Sequence, residues 1–145
     1  FILSYWKNAD ITCVDTWQTS EDESQVLDFN FKSVEKKFDS NLHDFYFKKI
    51  KNTSELAFKQ LSKVDGFDYI YIDGSHNGID IFNDALASFK ILNVGGIIIF
   101  DDITNIYKEI EMQPHDAFEK FYSLYKKKIK ILYLKNIAVI KKTNF

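Results

Sequence analysis

The chain has 145 residues, a length that suits one domain and can bury a sizeable core. Apolar residues make up 46%, aromatic residues 17%, and the net charge is −2; this excludes a disordered chain and offers no bulk attraction to nucleic acid. All 19 basic residues are lysine, so no guanidinium is present to grip a phosphate or carboxylate in a bidentate way.

Phe1 to Asn8 reads as the end of a helix. It has no basic n-region, no small-residue cleavage site and no initiator methionine. The chain is therefore expected to be a fragment without a signal peptide. No apolar run reaches the roughly 20 residues a membrane span needs, so no membrane partner is expected. Ile11 to Val14 reads as a short strand ending at Asp15. The single cysteine, Cys13, lies in that run and predicts a buried structural thiol. It cannot close an internal disulfide, which points to a reducing, cytoplasmic setting.

Ser20 to Phe38 is charged and periodic, with Val26, Leu27, Phe29, Val34 and Phe38 as its apolar positions; this predicts a helix. Tyr46 to Lys51 reads as a strand. Thr53 or Ser54 then caps a helix through about Lys63. Phe67 to Ile72 is a strand running into Asp73-Gly74-Ser75-His76. A helix follows from Asn77 to Asn93, with Ile81, Ala85, Leu86, Phe89 and Leu92 on one face. Gly95-Gly96 is expected to end that helix and open the strand Ile97 to Phe100, apolar on both faces as central parallel strands are. Pro114 suits the first turn of a helix reaching Lys127. Ile129 to Leu134 and Ile137 to Ile140 form a hairpin turning at Lys135-Asn136. Strand-helix alternation closed by an antiparallel hairpin predicts an α/β, doubly wound, mostly parallel sheet in a single domain, residues 1–145.

Three of these strands end in carboxylates: Asp15, Asp73 and the pair Asp101-Asp102. Open parallel sheets bind ligands outside the carboxyl ends of their strands. A strand-end aspartate can equally cap the next turn, and for each one alone both readings stand. Asp15 is placed to accept the hydroxyls of a ribose, with Trp17 either covering a base or sugar or packing at the sheet edge. The Gly-rich loop that precedes such an acid by about 20 residues is absent. Asp73, Asp101 and Asp102 would stand on strands roughly 4.8 Å apart. Their mutual repulsion would be relieved by protons or by a hard divalent cation such as Mg²⁺. His76, one turn past Asp73, either serves as a general base for a hydroxyl or caps the helix. His43 and His115 read as surface. Ile98 to Asp102 also resembles the acidic strand of P-loop NTPases, but no G-x-x-x-x-G-K-[ST] loop is present.

Ile11 to Trp17, Phe67-Asp68-Tyr69-Ile70-Tyr71-Ile72-Asp73-Gly74-Ser75-His76 and Gly95-Gly96-Ile97-Ile98-Ile99-Phe100-Asp101-Asp102, in that order, resemble class I S-adenosylmethionine-dependent methyltransferases. The nearest likeness is to bacterial enzymes related to metal-dependent sugar and macrolide O-methyltransferases. The resemblance implies a Rossmann-like sheet whose last strand is antiparallel. It places Asp15 on the cofactor ribose, Asn52, Thr53 and Ser54 near the adenine, and Asp73 among the cofactor contacts. Asn52 stands where the family often carries an acid. Asp73, Asp101 and Asp102 correspond to the metal ligands of the metal-dependent relatives. The base that some relatives carry two residues after the first ligand is Ser75 here, so the base falls to His76 or to none.

The resemblance also implies that the first strand and its Gly-rich motif lie before residue 1. Two unpaired strand edges, weak cofactor binding and marginal stability of the isolated chain are then expected. The function implied is O-methylation of a small hydroxylated substrate such as a sugar, with metal assistance left open. The alternatives are a non-catalytic or split methyltransferase-like domain, and a metal-dependent hydroxylase-like relative on the same scaffold. The expected partner is a small molecule; self-association is left open.

Overall fold

The structure, a computed structural model, describes residues 8–18, 31–61 and 66–144. The expected helix end at residues 1–7 and residues 20–30 of the helix expected over Ser20 to Phe38 lie outside the described residues. The chain divides into two compact units, Phe1–Ala57 and Phe58–Phe145.

The first unit is a βαβ arrangement. Strand β1 (Thr12–Asp15) pairs in parallel with β2 (Lys48–Lys51), and helix α1 (Phe31–Asn41) lies between them in sequence. The register sets Thr12 opposite Lys48 and Asp15 opposite Lys51. Tyr46, expected inside β2, precedes it and is 88% exposed. Trp17 and Ile50 are buried, and the Trp17 ring meets Phe38 of α1 edge-on at 5.2 Å. Lys49 lies 4.3 Å over the same indole and pairs with Glu35 and Asp39, tying β2 to α1. Cys13 is half-buried rather than buried, because Thr12 and Cys13 are only partly covered on this short strand; what burial there is pushes its thiol upward in pKa. Helix α2 (Ser54–Leu61) starts where expected: the Thr53 carbonyl accepts the Ala57 N–H at 3.0 Å.

The second unit holds a four-stranded sheet in the order β3-β4-β6-β5. Strands β3 (Phe67–Ile72) and β4 (Leu92–Phe100) are parallel. β6 (Ala138–Lys142) is antiparallel to both β4 and β5 (Ile129–Leu134), forming the expected terminal hairpin. Helices α3 (Gly78–Ile91) and α4 (Pro114–Tyr125) pack on each other. Ile81, Ala85 and Phe89 of α3 and Ala117, Phe118 and Phe121 of α4 share one core with Ile72, Ile98, Phe100, Ala138 and Ile140 of the sheet. Alternation along the strands sends Tyr69, Tyr71, Ile97 and Ile99 to the opposite face, where the two tyrosines are exposed. Among the described residues β1 pairs with β2, and β3 pairs with β4. Also among the described residues, no helix is long and apolar enough to cross a membrane.

The boundary between α3 and β4 also differs from the sequence reading. The helix does not run to Gly95-Gly96; α3 ends at Ile91 and β4 begins at once with Leu92. Leu92 is extended, at φ −76° and ψ 132°, and its N–H closes the last helical turn on Ser88. Its side chain is 2% exposed, so core burial draws it into the sheet opposite Phe67. The register then jumps, with Tyr69 facing Ile97, and the surplus residues bulge out at Gly95, whose φ of 89° suits glycine. The glycines thus mark an irregularity inside the strand.

Two buried polar groups of this core behave in opposite ways. The Ser88 hydroxyl is fully buried and, among the described residues, has no hydrogen-bond partner. Ser88→Ala is expected to raise the unfolding free energy by about 1–2 kcal/mol in urea titration. Lys142 is 4% exposed, yet its ammonium donates to the carbonyls of Phe89 (2.9 Å) and Leu92 (2.7 Å) at the end of α3. Lys142→Met is expected to cost roughly 2 kcal/mol at neutral pH by stranding those carbonyls. Burial, then the nearby charge of Lys128, lowers the Lys142 pKa below 10.5. The folded chain therefore holds fewer protons than the unfolded chain between the two values, and this group adds stability as the pH rises toward 10.5. The advantage of wild type over Lys142→Met should widen over that range.

Candidate functional site

The register of β3 and β4 sets Ile72 opposite Phe100, so both strands finish at one level. The Asp101 N–H donates to the Ile72 carbonyl at 3.0 Å and carries the ladder one step further. The two strand-end loops then surround a small cleft lined by Ile72, Asp73, Ser75, His76, Phe100 and Asp101, among others.

The β3 loop is built by its own side chains. Ser75 Oγ accepts the Asn77 N–H at 3.1 Å, and Asn77 Oδ1 accepts the Ile79 N–H at 3.0 Å as the N-cap of α3. Capping falls to Asn77, which leaves the half-buried His76 imidazole directed elsewhere. It stacks on Tyr107, with ring centroids 4.6 Å apart and planes 17° apart. Its Nε2 lies 3.9 Å from Asp102 Oδ2. Asp102 sits at φ 48°, a left-handed conformation that an aspartate tolerates, and its N–H donates to Asp101 Oδ1 at 2.9 Å.

Tyr71 joins this set. Its hydroxyl donates to Asp101 Oδ2 at 2.7 Å. That bond, then burial, then the charges of Asp101 and Asp73, raise the phenol pKa far above its usual 10.0. Tyr71 is thus a fixed proton donor and no candidate base. Strand parity carried the signal for it: Tyr71 and Asp73 share one face of β3, and Ile99 opposite Tyr71 shares its face with Asp101.

The expected metal ligands do not make a cation site as arranged here. Among the described residues, no three His, Cys, Asp or Glu side chains stand together as an ion would require. The reason is visible at Asp101: one oxygen holds the Tyr71 hydroxyl and the other the Asp102 N–H. Asp102 lies toward His76.

The remaining candidates lie in the first unit. Asp15, Asn52, Thr53 and Ser54 meet at one end of the β1–β2 pair, where the Asn52 N–H donates to the Asp15 carbonyl at 3.0 Å. The exposed Asp15 carboxylate accepts the Trp17 N–H at 2.6 Å, and Asn52 Oδ1 accepts the Thr53 N–H at 2.9 Å. Trp17 does not present its ring to a ligand as packed here: it is 6% exposed, against Phe38 and beneath Lys49. His43 and His115 are exposed, as expected of surface histidines.

A family model described as a methyltransferase domain matches residues 2–103. An uncharacterized protein of Acanthamoeba polyphaga mimivirus is 37% identical over 88 residues, which is 59% of this chain and 37% of that protein. Among solved structures, the O-methyltransferase NovP is similar with a TM-score of 0.70 at 14% identity, covering 99% of this chain and 64% of NovP. MycE, a methyltransferase of mycinamycin biosynthesis in complex with Mg and SAH, has a TM-score of 0.64 at 17% identity, over 99% of this chain and 39% of MycE. An O-methyltransferase from Bacillus cereus in complex with SAH has a TM-score of 0.59 at 16% identity, over 92% of this chain and 63% of that one. The chain thus spans less than two thirds of these relatives.

Tyr71 supplies a direct check on the site. Its folded pKa is raised, so the stability from its bond to Asp101 is fully present below pH 10.0 and lost as the pH climbs beyond. In an ultraviolet titration of phenolate absorbance, the late-ionising component is expected to shrink in Tyr71→Phe, leaving the part due to Tyr69, whose phenol pKa burial also raises.

Proposed function

Because this chain belongs to the methyltransferase-domain family, we propose that the protein moves a methyl group from S-adenosylmethionine to an oxygen of a small hydroxylated acceptor, a sugar or polyol. The observation that carries this reading is the cleft where β3 and β4 end, with Asp73 and Asp101 beside it and His76 near Asp102 and stacked on Tyr107. Ligands of open parallel sheets occupy this position. The SAH-bound relatives support the choice of methyl donor.

S-adenosylmethionine, when bound, supplies a methyl carbon activated by its sulfonium. Asp15 suits the ribose: its carboxylate is exposed at a strand end and is aimed by the Trp17 N–H. Asn52 spends its side-chain oxygen on the Thr53 N–H, which leaves the amide Nδ2 as a donor for an adenine ring nitrogen; Thr53 and Ser54 complete that side. Asp73, exposed at the cleft, accepts a hydrogen bond from an acceptor hydroxyl and orients it.

Methyl transfer to a neutral hydroxyl requires its proton to leave as the new O–C bond forms. His76 takes that proton on its imidazole. The positive charge that results is faced by the Asp102 carboxylate, 3.9 Å from Nε2. Asp101 does not take the proton; it is occupied in holding Tyr71 and the Asp102 N–H, which keeps the two loops in register.

Calorimetry with S-adenosylmethionine and labelled-methyl transfer to a panel of sugars and polyols test the reading on the full-length protein. Asp15→Ala is expected to weaken cofactor binding at least tenfold, by loss of a charge-assisted hydrogen bond. His76→Ala should leave that affinity intact and lower kcat by about 10²–10⁴. A full-length protein that binds no cofactor would replace this reading with that of a non-catalytic methyltransferase-like domain.

A further inference from the structure

The loop that follows β4 carries a device that the reaction outlined above does not explain. Gln113 occupies the N-cap position of α4, where Asn, Asp, Ser and Thr are favoured. Its side chain makes no capping hydrogen bond. It reaches back along the loop instead. Gln113 Oε1 accepts the Tyr107 N–H at 3.0 Å, and Gln113 Nε2 donates to the Tyr107 carbonyl at 2.8 Å. Both backbone groups of one residue are thus held by one planar amide, as a neighbouring strand would hold them. The clamp fixes the position and the direction of Tyr107 within an otherwise irregular segment.

The same loop is anchored at its far end. The Gly78 N–H donates to the Met112 carbonyl at 2.8 Å. A Cβ at Gly78 would come within 2.5 Å of the Met112 and Gln113 carbonyl oxygens, so only glycine lets the loop lie this close to the start of α3. His76 stands two residues before this contact. The Tyr107 ring therefore arrives over the imidazole, nearly parallel to it.

We propose that Tyr107 is a positioning residue for His76, and that Gln113 acts through Tyr107 by clamping its backbone. The inference rests on the reading of His76 as the proton acceptor. An imidazole on a loop turns freely about its side-chain bonds unless something holds its plane. The Asp102 carboxylate, at 3.9 Å, is too distant for a hydrogen bond and does not fix the ring. The Tyr107 face does: rotation of the imidazole out of plane collides with the phenol. One edge of His76 is thereby kept toward Asp102. This is preorganisation of the kind an acid–base group needs, and the stack contributes to it.

The test uses the full-length protein and has two arms. In proton NMR, the His76 ring signals, assigned by their loss in His76→Ala, are expected upfield through the Tyr107 ring current. Tyr107→Phe should keep that shift, Tyr107→Leu should abolish it, and Gln113→Ala should reduce it without lowering the melting temperature enough to unfold the chain. Gln113→Glu, which keeps the acceptor for the Tyr107 N–H and gives up the donor, should fall between.

In labelled-methyl transfer to a sugar or polyol of the panel that the wild-type protein methylates, Tyr107→Leu and Gln113→Ala should lower kcat roughly ten- to hundredfold with the KM for S-adenosylmethionine unchanged. Tyr107→Phe should restore the rate. A wild-type His76 without an upfield shift overturns the proposal, and so does an unchanged kcat in Tyr107→Leu while His76→Ala is inactive. Full activity in His76→Ala overturns the base reading itself; the NMR arm then still reports on the stack, which separates the two failures.

Discussion

The parallel pairing of β3 with β4 is the constraint on which the rest of the second unit depends. Its register sets Ile72 opposite Phe100 and lets the Asp101 N–H reach the Ile72 carbonyl. The two strands therefore end together, and their loops must share one space. Had the pairing slipped by a single residue, every side chain of β3 would have exchanged faces. Ile72 would leave the core, and Tyr71 would lose Asp101.

That register is held from one side by packing. Phe100, Phe118 and Phe121 are essentially unexposed and meet at ring distances of 5.3–5.5 Å from Phe100. Interlocking aromatics of this kind leave little room for a shifted strand. From the other side the sheet is closed by β6, whose Ile140 and Ala138 face Ile98 and Phe100. The polar end of the unit is thus mounted on its most rigid part. Loops supply the chemistry and a packed scaffold supplies their positions.

The carboxylates show how local hydrogen bonding redirects a motif. Asp101 and Asp102 are adjacent in sequence but serve different neighbours. Asp101 is taken up by Tyr71 and by backbone. The left-handed turn at Asp102 swings its side chain toward His76. A run of acids at a strand end reads as one cluster, yet a change of backbone hand at one residue divides it. The pairing of His76 with Tyr107 is of the same kind: it arises from the path of the loop between Ile103 and Gln113 and the contact it makes at Gly78.

The amino-acid sequence by itself determined the α/β class, the strands Phe67 to Ile72 and Ile97 to Phe100, the terminal hairpin and the end of the sheet at which the polar residues gather. Runs of β-branched and aromatic residues bounded by turn residues encode those elements locally, and strand parity assigns their faces. It also singled out His76 and the strand-end aspartates, because three strands ending in carboxylates at one edge of the sheet point together to a binding site although each alone reads equally as a cap. It misplaced the junction at Leu92, where two glycines look like a helix stop but burial of one leucine begins the strand earlier. Tertiary structure alone decided that Trp17 packs inward and that Tyr107 and Gln113 attend His76; strand parity put Tyr71 on the right face, and the register brought it to Asp101. These contacts join residues 6 to 31 positions apart in the chain, and their existence depends on strand register and loop path, which no local pattern of residues specifies.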